Sequence, residues 1–255
     1  MSSTIFMIHG MWGGSWQWAE WRKFFESKGF KCETPTLRHH DVDSKSKPPA
    51  GLGCTGLNDY VIDLEERIKK VNEKPIIIGH SMGGLLALML SARNLARAAV
   101  MITPAPPAGI NALKFSVLKS FAGPLLKFKW LGFPHRLSFN AAVYAMMHLL
   151  SGDEQKYVYE HMVAESGRAV REIGFWWADW RMAARVNPAT VNNPLLIISA
   201  SEDRITPANV IEKVADRYAH VAKYLPYPDH AHFIMREAGW EKVAEDIFQW
   251  ISELK

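Results

Sequence analysis

Cysteine is scarce in this chain: among 255 residues only Cys32 and Cys54 occur, and their spacing matches neither a metal site nor a redox pair. That excludes a disulfide-stapled scaffold and a zinc module. It leaves two free thiols in a reducing compartment, or at most one disulfide. Strong charge of one sign is missing too. Thirty basic residues against 26 acidic ones give a net charge of +4, spread along the chain, which does not argue for a nucleic-acid partner. No apolar run approaches the ~20 residues needed to span a bilayer. The N-terminus passes within a few residues into Thr4-Ile5-Phe6-Met7-Ile8, without a basic region, an apolar core and a cleavage site. The expectation is a soluble, cytoplasmic protein. No internal repeat and no low-complexity tail is present, which excludes a solenoid. What remains is an ordinary globular composition, in a chain long enough for one large domain or a domain with an insertion.

The stretch Pro75-Ile76-Ile77-Ile78-Gly79-His80-Ser81-Met82-Gly83-Gly84-Leu85 organises the rest. A run of β-branched residues drives into Gly-His-Ser-Met-Gly, and an apolar helix pattern (Leu85, Leu86, Leu88, Met89) follows at once. This is strand, sharp turn and helix, with a serine at the apex. Small residues at Gly79 and Gly83 let strand and helix cross closely, so the hydroxyl stands clear at a helix N-terminus. There the unpaired N–H groups and the helix dipole favour developing negative charge. The competing interpretation is a glycine-rich turn whose Ser81 merely caps the helix.

Other elements follow in order. Thr4 to Ile8 reads as a buried strand and His9-Gly10-Met11-Trp12-Gly13-Gly14 as the loop leaving it. Ser15 is placed as the N-cap of a helix carrying Trp18, Trp21, Phe24 and Phe25. Phe30 to Thr34 is a second strand, and Leu37 to about Leu57 a long surface loop. A helix then begins at Asn58 or Asp59. Further strands are expected at Ala98–Thr103, Leu195–Ser199 and Ala222–Leu225, and a last helix from Trp240 to Leu254. Alternating strands and helices argue for a parallel sheet with helices on both faces. The interval from Pro104 to Asn193 breaks the rhythm. It has helical patterning and no convincing strand, so a helical lid is expected at 105–193, dividing a core domain into 1–104 and 194–255.

Four segments carry a resemblance: His9-Gly10-Met11-Trp12, Gly79-His80-Ser81-Met82-Gly83, Ser201-Glu202-Asp203-Arg204-Ile205-Thr206-Pro207, and His232-Phe233 before the last helix. In order and spacing the chain resembles the α/β-hydrolase superfamily over nearly its whole length. The opening segment through Ser15-Trp16-Gln17-Trp18 is similar to the small methylesterase and hydroxynitrile lyase group. The early His-Gly loop leaves no room for the two N-terminal strands many members carry. The resemblance therefore implies a mostly parallel six-stranded sheet, with the helical cap inserted before the acid-bearing strand.

A serine hydroxyl needs a base to take its proton. His232 is the candidate, because the family pattern puts the histidine directly before Phe233 and the last helix; His230 is the rival. Asp203 is the candidate acid, with Glu202 expected in solvent and Asp229 a weaker rival. The strand end at Thr103-Pro104-Ala105-Pro106-Pro107, where some members carry the acid, has no carboxylate. The resemblance puts the oxyanion donors at the backbone N–H of Met11 and Met82. Trp12 is a candidate substrate contact. His9 and His80 are expected to be structural, and His39-His40 lack a third metal ligand. The implied reaction is acyl transfer from a small to medium apolar ester to Ser81, then hydrolysis, with no metal or organic cofactor required. Lactone, thioester or C–C hydrolysis, a lyase and a non-catalytic small-molecule receptor are the alternatives. A lyase on this scaffold usually adds a lysine near the lid, and neither Lys114 nor Lys223 is obviously placed for it.

The lid is dense in aromatics, among them Phe115, Phe121, Phe128, Trp130, Phe133, Phe175, Trp177 and Trp180. Most are expected to form the lid's own core and its contact with the sheet. Lys114 to Arg136 holds five basic residues and no acid. Two glycines and two prolines interrupt it, so stable membrane association is not expected.

Overall fold

The structure is a computed structural model in which residues 3–112, 114–121 and 129–254 are described. Six strands, β1 (Thr4–Ile8), β2 (Lys31–Glu33), β3 (Ile76–His80), β4 (Ala98–Ile102), β5 (Leu195–Ala200) and β6 (Ala222–Tyr227), form one sheet. Their order is β2-β1-β3-β4-β5-β6 and every neighbouring pair is parallel. The strand alternation explains the layers. Phe6 and Ile8, Ile77, Ala99 and Met101, Leu195 and Ile197 face one core. Ile5 and Met7, Ile76 and Ile78, Val100 and Ile102, Leu196 and Ile198 face the other. Both faces are buried, which is why these strands read as continuous apolar runs.

Helices α1 (Ala19–Ser27), α2 (Leu57–Ile68) and α3 (Met82–Ala92) precede β4. Between β4 and β5 come α4 (Phe115–Ser120), α5 (Phe139–Ala142), α6 (Gly152–His161) and α7 (Gly167–Gly174). Then α8 (Ala208–Arg217) and α9 (Trp240–Ser252) complete the chain. Side chains of α2, α3 and α8 fill the first core. Those of α1 and α9 fill the second, joined by Leu137, Met146, Met147 and Val158 from the β4–β5 interval. Among the described residues that interval contains one isolated antiparallel bridge, His135 to Glu165, and otherwise helices and loops.

Three local readings are corrected. Gly14, not Ser15, is the N-cap: Ser15–Trp18 is a 3₁₀ turn feeding into α1. α2 begins at Leu57 because Asp59 reaches back to the Gly56 N–H at 2.7 Å and the Leu57 N–H donates to Glu172 at 2.7 Å. The long loop is a surface loop only in its middle, since Leu37, His40 and Leu52 are buried. Both cysteines are free thiols, and burial pushes Cys32 up to about 12. Among the described residues no helix is long and apolar enough to cross a membrane.

The strand order reverses direction between β1 and β3, the place where an open parallel sheet presents a crevice at its C-terminal edge. The loop after β1 and the turn after β3 both open there.

Candidate active site

Ser81 caps α3 with φ 54° and ψ −120°, a left-handed conformation that non-glycine residues seldom adopt. It persists because its surroundings fix it: the Ser81 N–H donates to the Ile102 carbonyl at 3.0 Å, and its own carbonyl accepts from the N–H of Gly84 and Ala105 at 2.9 Å each. The crossing is close enough to demand glycine. A Cβ at Gly79 would lie 2.1 Å from the Gly83 carbonyl oxygen, and one at Gly83 would lie 2.2 Å from the carbonyl oxygen of Ile8.

His232, on the loop after β6, sets Nε2 3.0 Å from the Ser81 hydroxyl and Nδ1 2.8 Å from Asp203 Oδ2. The carboxylate can only accept from Nδ1–H, which leaves Nε2 free to accept from the hydroxyl. All three residues are buried. Asp203 is oriented by four donors: Oδ1 accepts from the Ile205 and Thr206 N–H at 2.8 Å each, and Oδ2 from the Thr206 hydroxyl at 2.7 Å and from His232. The structure thus brings together Ser81, Asp203 and His232, and separates them from their rivals. His230 pairs with the buried Glu237 at 3.0 Å, Glu202 and Asp229 are exposed, and Arg204 donates to the Tyr144 carbonyl rather than to Asp203.

Beside Ser81 opens a cleft of about 660 Å³ counting its mouth, of which only about 70 Å³ admits the centre of a water molecule. It is a narrow slot. Met11 and Met82 line it, and neither backbone N–H meets a protein acceptor among the described residues. Among the described residues the lining apart from Ser81 and Thr206 is apolar, and it includes Val117, Leu118 and Phe121 from α4 and its C-terminal end and Val170, Ile173 and Phe175 from α7 and its C-terminal end. Trp12 does not line it. Its ring lies one layer back, 5.7 Å from Phe121 and 5.6 Å from His135. Lys114 and Lys223 are likewise absent from the lining, and Lys223 lies 4.0 Å from Glu253 at the surface. Phe128 and Lys127 lie outside the described residues.

Of three supporting groups, sequence reasoning read His80 as structural and missed the other two. Thr206 was legible as the third residue after an Asp at a strand end, a pattern that closes a side-chain turn. His80 donates from Nε2 to the His232 carbonyl at 2.8 Å. Burial, then the proximity of His232, lowers its pKa to about 3. The third group is a buried pair with no sequence signal. His40 faces the Arg38 carbonyl at 2.9 Å through Nδ1 and Glu165 Oε2 at 3.1 Å through Nε2. Both partners are acceptors, so His40 is an imidazolium. Glu165 is held as the carboxylate by this pair, by the Tyr60 hydroxyl at 2.8 Å and by the Ser166 N–H at 2.6 Å. Against the His40 ring packs His9, whose pKa falls to about 3 through burial and then His40. Its Nδ1–H donates to the Gly10 carbonyl at 2.8 Å and its Nε2 accepts from the Leu37 N–H at 3.0 Å.

A parallel six-stranded sheet with a strained serine between strand and helix, at the crevice where the strand order reverses, is the frame of the α/β hydrolases. The chain belongs to the alpha/beta hydrolase family, whose sequence profile matches residues 5–246. It is 26% identical over 134 residues to Methylesterase 8 of Arabidopsis thaliana, a stretch that covers 52% of this chain and 48% of that protein. The match therefore spans about half the length of that relative. Among solved structures, a methylesterase from Arabidopsis superposes with a TM-score of 0.73 at 12% identity, covering 98% of this chain and 99% of that one. A monoacylglycerol lipase from Paleococcus ferrophilus superposes with a TM-score of 0.73 at 18% identity, covering 100% and 97%. At these identities the structural likeness establishes the fold.

Proposed function

We propose that this chain is a serine hydrolase of carboxylic esters with small to medium apolar substrates, working through an acyl-enzyme on Ser81. The observation that carries the reading is the unbroken hydrogen-bond chain from Asp203 through His232 to Ser81 at the floor of an apolar slot. As the Ser81 oxygen attacks the ester carbonyl carbon, His232 Nε2 takes its proton, and Asp203 stabilises the imidazolium. The carbonyl oxygen becomes an oxyanion, for which the N–H groups of Met11 and Met82 are the donors. The C–O bond then breaks, the alcohol leaves with the proton from His232, and water repeats the sequence on the acyl-enzyme.

Residues 105–193 serve as the cap that closes the slot. Among the described residues the slot holds no cation to pair with a charged acid and no lysine for lyase chemistry. The names of the relatives, methylesterase and monoacylglycerol lipase, support an ester as substrate.

Hydrolysis of a p-nitrophenyl ester series from acetate to palmitate, by wild type and Ser81→Ala side by side, tests the reading. Turnover that requires Ser81, with short to medium chains preferred, is expected. Turnover that survives in Ser81→Ala, or a folded wild type inert at every length, overturns it in favour of another chemistry or a binding module.

A further inference from the structure

Large hydrophobic side chains in water are concentrated in one interval of this chain. Among the described residues nine are exposed, and eight of them lie between β4 and β5. Phe115 is 81% exposed, Trp177 64% and Trp180 85%, the reverse of the packed lid core that aromatic density suggested. Such a concentration on a soluble surface marks an interaction site. Phe115 and Trp177 adjoin residues that line the Ser81 slot. Phe115 stands one turn before Leu118 on α4, and Leu118 lines the slot. Phe175 lines it as well, and the Trp177 ring packs 6.2 Å from Phe175.

The charge on this face has one sign. Between Pro104 and Gly152 the sequence contains no Asp or Glu. Between Ser166 and Ala200 there are two acids, Glu172 and Asp179, and both are buried. Lys114, Lys119, Arg181 and Arg185 are exposed. Exposed acids of the interval, such as Asp153 and Glu160, sit on α6, whose Tyr157 packs against Trp16 rather than at the slot. The Arg181 guanidinium lies over the Trp180 ring at 4.9 Å.

We propose that this face docks reversibly on an anionic lipid bilayer, with the mouth of the slot turned to the lipid. Exposed tryptophan and phenylalanine flanked by lysine and arginine match the interfacial zone. There the rings enter the headgroup–acyl boundary and the cations meet anionic headgroups. A second copy is a poorer occupant, because a symmetric contact would set one basic face against another. The proposal concerns binding and stands apart from the catalytic reading.

The test is cosedimentation of the full chain with vesicles of phosphatidylcholine alone and of phosphatidylcholine containing phosphatidylglycerol, repeated with Ser81→Ala so that turnover plays no part. Binding is expected only to the anionic vesicles and is expected to weaken with salt. The double variant Trp177→Ala, Trp180→Ala should bind about tenfold more weakly or worse. A second double variant, Lys114→Glu with Arg181→Glu, should lose at least about tenfold. Both sets of side chains are exposed, so unchanged thermal midpoints are expected. No binding by wild type, equal binding to both vesicles, or binding undiminished in the variants overturns the proposal. So does concentration-dependent self-association that the tryptophan variant abolishes, which would give the face to a second copy.

Discussion

The residue immediately before the proposed nucleophile holds the loop that carries the proposed base: His80 Nε2–H donates to the backbone carbonyl of His232 at 2.8 Å. Because burial and the neighbouring His232 lower the pKa of His80 to about 3, it stays neutral and has one N–H, committed to that carbonyl. Among the described residues the other donor to the same oxygen is the Thr103 hydroxyl, at 3.3 Å. His80→Phe keeps the ring and removes the donor. A fall in kcat of about tenfold with KM little changed is expected, since the loss is one of positioning. Steady-state kinetics on the preferred ester decide it; an unchanged kcat would leave Thr103 sufficient by itself.

Thr206 has one hydroxyl proton and two acceptors within reach, Asp203 Oδ2 at 2.7 Å and the Thr103 carbonyl at 3.0 Å. Thr206→Val conserves shape and leaves Asp203 one donor fewer. We expect kcat to drop several-fold, and Thr206→Ser to restore it. Asp203→Asn should cost far more, about 10³- to 10⁴-fold in kcat, because the amide no longer fixes the His232 tautomer.

The His40–Glu165 pair has no solvent exposure at either side chain, so removing one partner strands a buried charge. Glu165→Ala is expected to destabilise by about 3–5 kcal/mol, read by urea unfolding. The pH dependence has a definite sign. Burial alone would lower the His40 pKa, but Glu165 raises it above 6.5 overall, so its stabilisation is complete below pH 6.5 and is lost as pH rises through the folded value. Burial opposes ionisation of Glu165 too, yet His40 and the hydrogen bonds lower it below 4.5, so its share is complete above pH 4.5 and is lost as pH falls through the folded value. The stability difference between wild type and Glu165→Gln should therefore be largest between pH 4.5 and 6.5.

Gly83→Ala places a Cβ 2.2 Å from the Ile8 carbonyl oxygen, backbone against backbone, and only a shift of α3 from β1 relieves it. A loss of about 1–3 kcal/mol or more is expected. Activity should fall beyond what stability explains, since the same shift moves the Met82 N–H. Thermal unfolding and kinetics at a temperature where the variant is folded separate the two effects.

Much of this molecule is local and therefore legible in the sequence. The alternation of strands and helices, the sharp Gly79-His80-Ser81-Met82-Gly83 turn and the Asp203 turn at the end of β5 depend on residues a few positions apart, so short-range patterns specify them. The family resemblance added the six-stranded count, through the early His9-Gly10 loop, and the choice of His232 over His230, through the histidine directly before Phe233 and the last helix. Tertiary structure decided what depends on residues far apart in sequence. Only the packing of the β2–α2 loop under the β4–β5 interval brings His40 to Glu165, 125 residues later, and no periodicity announces such a pair. Only the tertiary placement of α4 and of the turn at Trp176–Ala178 leaves Phe115 and Trp177 in water, where their sequence pattern suggested a core. An apolar stripe records that a side chain prefers to leave water. Which surface it meets is set by the chain's global path.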